Sequence, residues 1–416
     1  MISENMSRLN FTSLLLICLM APLLLCSSCR GSVAIGNGQD KRNKSPASRE
    51  EEVRFANGET TLAGTLFRPA DSVDYPAVVI LAGSDRSKRG PLRIRIAKQF
   101  ATHNVAALVY DSPGTGKSTG NGLLQTRSER ATEALTALDY LRKRPGIRAT
   151  SVGLFGGSEG ADIALLASAR SPRVAFVIAV SGAVGVSILD VLRYSAEMRG
   201  YRQGLAPDEI SKAITFKEIA FVFLSGIEIV EWSQIEARVQ HWRDDAWVTF
   251  IDISKQRNKK LGPEQRQAIM ISFRRIIDHF KNEKWFSSVD VGSALQRIVN
   301  LDVDNFFKLL EAGRYARDWD KNLCFVPKIR CPVLAIWGEE DSFLPPSQSA
   351  MRLRKALVES NHPDYEIKLF PDATHFLTVA GPGSEFAPGY IETMTRWLND
   401  REGKNGNLKV NPNDGL

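Results

Sequence analysis

The most specific indicator of the fold is "SVGLFGGSEGADIALLASAR", residues 151–170. It begins with the short apolar run "SVGLF", passes through "GGSEG" (156–160), which fits a GxSxG pattern, and ends in the helical pattern "ADIALLASAR". A strand, a tight glycine turn and a helix in this order lift a serine hydroxyl out of a sheet edge. The glycines are expected because such a turn leaves no room for side chains beside the serine. We therefore interpret Ser158 as a nucleophile.

Apolar, β-rich runs recur on both sides of this turn. They are "AVVILAG" (77–83), "VAALVYD" (105–111), "VAFVIAVSG" (174–182), "CPVLAIWG" (331–338) and "YEIKLFPDATH" (365–375). Such runs, separated by helical segments, are typical of a parallel sheet covered on both faces. "EVRFANGETTLAGTLFRPA" adds two strands around an Asn57-Gly58 turn. The predicted fold class is α/β, with a mostly parallel central sheet and helices on both faces.

Residues 183–322 interrupt the alternation of strands and helices. They have helical patterns and form a segment too long for a loop. They predict a helical cap inserted between two parts of the core, residues 51–182 and 323–400. The apolar run "IAFVFLSGIEIV" (219–230) in the cap is too short and interrupted to span a bilayer, so it either packs on the core or lines an acyl pocket. Residues 401–416 are polar and predict a disordered tail.

The amino-terminal sequence predicts that the protein is exported from the cytoplasm. Residues 1–29 read as a secretory signal, because Arg8 precedes an apolar run that ends in small residues. Cys26 and Cys29 lie where a bacterial lipoprotein carries its lipid, so a lipid anchor and simple release after cleavage are the two alternatives. Residues 30–50 predict a flexible spacer. We expect export to the cell envelope or periplasm.

Composition narrows the function classes. With 416 residues, 43% hydrophobic and 24% charged, the chain is an ordinary globular protein. Its net charge of +7 is spread along the chain without a nucleic-acid motif, which leaves only a weak attraction to anionic membranes. Cys324 and Cys331 either form a disulfide or leave Cys331 as a buried residue at a strand start. Without a cysteine or histidine cluster of metal-site type, no metal or cofactor is expected.

A serine nucleophile requires a histidine base and a carboxylate that orients it, in the chain order Ser, acid, His. His375 follows the strand "YEIKLF" at the sheet edge where Ser158 emerges, and we predict it as the base. The other histidines precede the serine, lie in the cap or lie at the wrong end of the last strand: His103, His241, His279 and His362.

Three carboxylates follow the strand "LAIWG": Glu339, Glu340 and Asp341. Spacing alone does not choose between them. Asp341 is preferred because it lies farthest into the turn, and Asp372, close to His375, is the alternative acid.

Backbone amides must stabilise the oxyanion of the transition state. One is expected from Glu159, immediately after the nucleophile, and the other from Ser84 in the loop after "AVVILAG". The alternative for Ser84 is a plain polar turn.

A second glycine-rich stretch, "YDSPGTGKSTG" (110–120), raises the alternative of a nucleotide-binding protein. A phosphate-binding loop needs GxxxxGK[ST], but Asp111 stands where its opening glycine belongs. Pro113 also removes an amide that would face the anion.

Five stretches, in this order and spacing, resemble the α/β-hydrolase superfamily: "AVVILAGSDR", "VYDSPGTGKSTG", "GLFGGSEG", "KIRCPVLAIWGEEDSFLPP" and "LFPDATHFL". They look most like bacterial esterases related to the prolyl-oligopeptidase-like and acyl-CoA thioester hydrolase branches. The resemblance covers residues 50–182 and 315–400 and implies Ser158 as nucleophile, Asp341 as acid and His375 as base.

The resemblance also implies that "DSPGTGKSTG" is the family's structural DxRGxGxS turn, with no phosphate role. Ser112-Pro113 depart from the family's variable residue and arginine in that turn. "AGSDRSKRG" departs from HGSGPxDRD, which bears on the second oxyanion donor.

The function expected from these residues is hydrolysis of a small carboxylic ester through an acyl-enzyme, without a cofactor. Peptidase, amidase and thioesterase activities use the same triad and remain alternatives. A noncatalytic envelope protein that binds a ligand through its cap is the second class. The oligomeric state is left open.

Overall fold

The computed structural model describes residues 48–70, 73–122, 125–228, 230–288, 298–313, 323–381 and 383–405. The predicted signal, most of the predicted spacer and residues 406–416 lie outside the described residues.

An eight-stranded sheet forms the centre of the molecule, in the order β1-β2-β4-β3-β5-β6-β7-β8. Its strands are β1 (Arg49–Asn57), β2 (Thr60–Arg68), β3 (Tyr75–Leu81), β4 (Ala106–Tyr110), β5 (Ile147–Gly157), β6 (Val177–Val180), β7 (Val333–Gly338) and β8 (Tyr365–Phe370). β2 is antiparallel to both of its neighbours, and all other neighbouring pairs are parallel. This confirms the predicted α/β class with a mostly parallel sheet.

Helices cover both faces of the sheet. Around it lie α1 (Pro91–Thr102), α2 (Arg127–Arg142), α3 (Glu159–Ser168), α11 (Pro346–Glu359) and α12 (Tyr390–Asn405). Residues of α2, α3 and α11 share one buried cluster with one side of the strands. Residues of α1 and α12 share another cluster with the opposite side. Neighbouring residues of β3 alternate between these clusters, because successive side chains of a strand point to opposite faces.

The segment between β6 and β7 is helical wherever the structure describes it, apart from short turns. Its helices are α4 (Ile188–Arg202), α5 (Pro207–Ser225), α6 (Trp232–Gln240), α7 (Asp245–Gln256), α8 (Pro263–Phe280), α9 (Lys284–Ser288) and α10 (Val303–Gly313). They enclose a core of their own that is rich in aromatic side chains, among them Phe216, Trp247 and Phe273. We call residues 183–322 the cap.

The apolar run 219–230 lies largely in α5. Its residues Ile219, Phe223 and Leu224 belong to the cap core, so packing accounts for most of its apolar character. Phe221 belongs to a separate small cluster that includes Leu344, close to the loop after β7. In the described part of the chain, no helix combines the length and apolarity needed to cross a bilayer.

Two predicted boundaries are corrected at the ends of the body. β1 begins at Arg49, inside the predicted spacer. The last helix does not stop at residue 400 but continues to Asn405, so the predicted disordered tail is wrong for residues 401–405. Arg401 accounts for part of this extension, because its guanidinium donates to Asp364 at 2.5 and 3.0 Å.

Cys324 and Cys331 do not form a disulfide. Cys331 is buried just before β7, and burial raises the pKa of its thiol to about 12. This confirms the alternative in which Cys331 is a small buried residue at a strand start.

Candidate active site

Ser158 occupies a strained turn between β5 and α3. Its φ and ψ angles are 55° and −131°, a conformation that side chains other than glycine rarely adopt. The turn is held by two backbone bonds, from the Ser158 amide to the Val180 carbonyl at 2.8 Å and from the Ala161 amide to the Ser158 carbonyl at 2.9 Å. This is the strand, turn and helix arrangement that the sequence predicts.

The two glycines that define the GxSxG pattern are sterically required. A Cβ atom on Gly156 would lie 1.9 Å from the Gly160 carbonyl oxygen. A Cβ atom on Gly160 would lie 2.8 Å from the Ala82 carbonyl oxygen. Gly157, at a variable position of the pattern, has nothing within 4 Å of its Cβ position. The predicted lack of space therefore applies to Gly156 and Gly160 but not to Gly157.

His375 and Asp341 form a buried hydrogen-bonded pair. His375 Nδ1 lies 2.7 Å from Asp341 Oδ2, and Asp341 is fully buried. The other carboxylate oxygen, Oδ1, accepts the amides of Phe343 at 2.7 Å and Leu344 at 3.0 Å. Because a carboxylate accepts, the proton of a neutral imidazole is placed on Nδ1, which leaves Nε2 as the basic nitrogen.

The other three candidate carboxylates differ from Asp341 in burial. Glu339, Glu340 and Asp372 are exposed. Glu340 forms an ion pair at 2.5 Å with Arg202 of the cap. The geometry thus favours Asp341 as the partner of His375 among the carboxylates left open by the sequence.

The strand directions place Ser158, Asp341 and His375 at the same end of the sheet, where the parallel strands terminate. Ser158 follows β5, Asp341 follows β7, and His375 follows β8. These strands are mutually parallel, with β6 between β5 and β7, so their carboxyl ends share an edge.

The loop after β3 lies against Ser158. A Cβ atom on Gly83 would lie 3.5 Å from Ser158 Cβ and 3.3 Å from the Gly157 carbonyl oxygen. Ser84 and Glu159 are both buried. Within the described residues, neither of their amides has a hydrogen-bond acceptor. Two unbonded amides beside a serine suit the binding of an oxyanion.

A buried ion-pair network surrounds the Glu159 side chain. Arg130 Nη1 donates to it at 2.6 Å, and Arg127 Nε donates at 3.3 Å. Although burial opposes ionisation, the positive charges of Arg130, Arg86 and Arg127 hold the pKa of Glu159 at about 2. Arg127 also pairs with Asp162 at 3.4 Å, but there burial dominates and raises the pKa of Asp162 to about 6.

The sequence prediction missed both arginines. They lie three residues apart on α2 and therefore share one face of that helix. Thr126 and Glu129 form a capping box that starts the helix just before Arg127. The sequence signal that could have revealed them is an i, i+3 arginine pair on the helix that precedes β5 and the turn at Ser158.

The cap contacts the loop that contains Asp341. The Tyr194 hydroxyl of α4 donates to the Asp341 main-chain carbonyl at 2.6 Å. Arg199, also on α4, places its guanidinium carbon 4.4 Å from the ring centre of Phe343, and that ring lies 5.0 Å from the ring of His375. The first cap helix is therefore in direct contact with the surroundings of Asp341 and His375.

The glycine-rich loop after β4 is organised around Asp111. The buried Asp111 carboxylate accepts the amides of Arg89 at 2.7 Å and Lys117 at 2.9 Å. A Cβ atom on Gly116 would lie 2.3 Å from Asp111 Oδ2. The Ser118 hydroxyl donates to the Asp111 carbonyl at 2.7 Å. These internal bonds fit a structural turn.

Two protein-family models match parts of the chain. The BAAT / Acyl-CoA thioester hydrolase C terminal family matches residues 135–222, which contain Ser158. The Dienelactone hydrolase family matches residues 312–396, which contain Asp341 and His375.

The polyketide transferase grgF of Penicillium sp is 34% identical over 122 residues, which are 29% of this chain and 40% of that protein. The chain therefore aligns with less than half of this relative. The structure of DcsB in complex with its substrate analogue is 17% identical, with a TM-score of 0.49 over 85% of this chain and 99% of that one. The Pyrococcus furiosus esterase Pf2001 is 12% identical, with a TM-score of 0.46 over 90% and 99%.

The chain is a member of the α/β-hydrolase superfamily. This conclusion rests on its strand order, on the strained turn at Ser158 and on the two hydrolase-family matches. In general terms these findings support a hydrolase.

Proposed function

We propose that the chain is a serine hydrolase that cleaves carboxylic esters. One observation carries the proposal: a serine in a strained turn shares a sheet edge with a buried His375–Asp341 pair. That combination supplies a nucleophile, a base and an orienting carboxylate, which acyl transfer requires.

In the proposed first step, the Ser158 Oγ attacks the ester carbonyl while His375 Nε2 accepts the hydroxyl proton. The negative charge develops on the former carbonyl oxygen, where the amides of Glu159 and Ser84 stabilise it. His375 then returns the proton to the leaving alcohol, which leaves an acyl-Ser158 ester. In the second step, water attacks this ester by the same route and releases the acid and free Ser158.

The direct test is turnover of p-nitrophenyl esters with acyl chains of two to twelve carbons. We expect hydrolysis by the wild-type chain and a loss of at least about 10³-fold in kcat for Ser158→Ala. Circular dichroism of both proteins controls for folding. Turnover that persists in a folded Ser158→Ala variant would rule out Ser158 as nucleophile.

Thioester and amide substrates with the same acyl groups separate the alternatives. Preference for esters in kcat/KM supports the proposal. Preference for thioesters or amides assigns the same triad to a thioesterase or an amidase. Folded wild-type protein that turns over none of them favours a noncatalytic, ligand-binding protein.

We further propose that the chain is exported and held at the cell envelope. The signal-like segment at residues 1–29 and Cys26 and Cys29 motivate this. Arg49, the first residue of β1, pairs with Arg68 at the end of the sheet opposite to the one where Ser158 lies, and this position is compatible with a tether on the amino-terminal side. Palmitate incorporation that Cys29→Ser or Cys26→Ser abolishes supports an anchor, whereas full-length protein in the cytoplasm contradicts export.

A further inference from the structure

Arg130 connects the two segments that carry the proposed oxyanion donors. Its Nη1 donates to the Glu159 carboxylate at 2.6 Å. Its Nη2 donates to the carbonyl oxygens of Ala82 at 2.6 Å and Gly83 at 3.0 Å. Arg130 and Glu159 are only 6% and 4% exposed, so water screens these contacts little. One guanidinium therefore joins the residue after the nucleophile to the loop after β3.

The bond to Gly83 fixes the orientation of one peptide group. A peptide unit is planar and trans, so the Gly83 carbonyl and the Ser84 N–H point in opposite directions within one rigid plane. A carbonyl held against Arg130 therefore sets the direction of the Ser84 N–H. The positively charged guanidinium bonded to the Gly83 carbonyl also polarises the peptide group and makes the Ser84 N–H a stronger donor.

We propose that Arg130 is a positioning residue that holds the Ser84 amide in the oxyanion hole, and that the Glu159 carboxylate holds Arg130 in turn. This inference rests on the proposed hydrolase function and deepens it. Glu159 then has two roles: its amide is one donor to the oxyanion, and its side chain orients the other.

The geometry suits a guanidinium. Arg130 must reach a carboxylate with one nitrogen and two carbonyls with another, which a rigid planar fork allows and a single ammonium does not. Arg127 donates to the other Glu159 oxygen, Oε1, at 3.3 Å. The Glu159 carboxylate therefore keeps a cationic partner when Arg130 is replaced, which limits the cost in stability.

The test compares Arg130→Met and Arg130→Lys with the wild-type full chain on an ester that the wild type hydrolyses. We expect Arg130→Met to lower kcat by about 10- to 100-fold with little change in KM, because the oxyanion exists only in the transition state. Arg130→Lys should restore only part of kcat.

Two further variants separate positioning from folding. Arg257→Met is a matched control in the cap, since Arg257 is also a buried arginine that donates to main-chain carbonyls, those of Phe223 and Leu310. It should lower the melting temperature and leave kcat unchanged. The double variant Arg130→Met with Glu159→Gln removes both the guanidinium and the carboxylate that holds it, while Arg127 keeps Asp162 as an anionic partner. It should have a low kcat, as Arg130→Met does.

Wild-type kcat in Arg130→Met overturns the proposal, and so does wild-type kcat in the folded double variant. If Arg130→Met does not fold, Arg130→Lys and the double variant give the same decision. Absence of any turnover by the folded wild-type chain removes the hydrolase function and this proposal together. Turnover that survives unchanged in Arg130→Met removes the proposal alone.

Discussion

Two glycine-rich turns follow buried strands at the same edge of the sheet, yet they treat their backbone amides in opposite ways. In the elbow turn, residues 156–160, the amide of Glu159 has no acceptor among the described residues. In the loop after β4, residues 111–119, acceptors within the loop take up the amides of Gly114, Thr115, Lys117 and Ser118. The carbonyls of Ser87 and Thr61 take up those of Ser112 and Thr119.

The difference shows that a glycine-rich motif gains its meaning from where its backbone hydrogen bonds go. A loop whose amides are already bonded has few left to cradle a phosphate. A turn that leaves an amide unbonded beside a strained serine is suited to a developing oxyanion. The two turns should therefore respond differently to substitution.

The turn at Ser158 supports the proposed catalysis only if Asp341 holds His375 in the correct tautomer and orientation. Asp341→Asn would place a donor against His375 Nδ1 and stabilise the wrong tautomer, so we expect kcat to fall by about 10⁴-fold. Glu340→Gln, an exposed neighbour on the same loop, should change kcat by less than about threefold, because surface substitutions have small effects. Equal losses in the two variants would contradict the assignment of Asp341.

The tightness of the elbow predicts an asymmetry between adjacent glycines. Gly156→Ala would force a Cβ to within 1.9 Å of the Gly160 carbonyl oxygen, and we expect it to lower the free energy of unfolding by about 3 kcal/mol or more. Gly157→Ala meets no atom within 4 Å and should cost less than about 1 kcal/mol. Urea denaturation of both variants measures the difference, and similar values would refute the steric account.

Asp162 predicts a specific dependence of stability on pH. Its pKa rises from 3.8 to about 6 in the folded protein, so between these values the folded state holds a proton that the unfolded state has lost. The wild type therefore loses up to about 3 kcal/mol as pH rises through this window. The Asp162→Asn variant has no carboxyl group at this position, so its free energy of unfolding does not fall for this reason.

The measured quantity is the free energy of unfolding of Asp162→Asn minus that of the wild type, at pH 4, 5, 6 and 7. Titrations common to both proteins largely cancel in this difference. It should increase with pH and level off above pH 6. A difference that stays flat or decreases would show that Asp162 is ionised throughout the window.

The smallest effect is expected in the second turn. Lys117 is largely exposed, and its Nζ pairs with Glu52 at 3.3 Å on the surface, which contributes about 0–1 kcal/mol. Lys117→Ala should leave kcat and KM unchanged, and isothermal titration should show no saturable binding of ATP by either protein. Saturable binding that Lys117→Ala removes would restore the nucleotide-binding alternative.

The strands and the position of His375 at the end of one could be predicted from the sequence because both depend on local patterns. Apolar runs mark the strands, and His375 stands out because it alone among the histidines follows a strand beyond the serine. The sequence preferred Asp341 over Glu340 only for its place in the turn. The fold separates them by the burial of Asp341 and its hydrogen bond to His375.

Other features depend on residues far apart in the chain. Arg130 and Ala82 are 48 positions apart, and Tyr194 and Asp341 are 147 apart. A sequence pattern shows that two arginines share a helix face, but only the fold shows that this face turns inward. The extension of the last helix beyond residue 400 likewise involves Asp364, a partner outside that helix.

The central claim is that Ser158 is an activated nucleophile, and a fluorophosphonate probe tests it most directly. The protein without its first 30 residues is treated with the probe, and the adduct is located by peptide mass spectrometry. We expect one adduct, at Ser158, that His375→Ala abolishes while circular dichroism shows an intact fold. Folded wild-type protein without an adduct, or with an adduct that His375→Ala leaves unchanged, would contradict the claim.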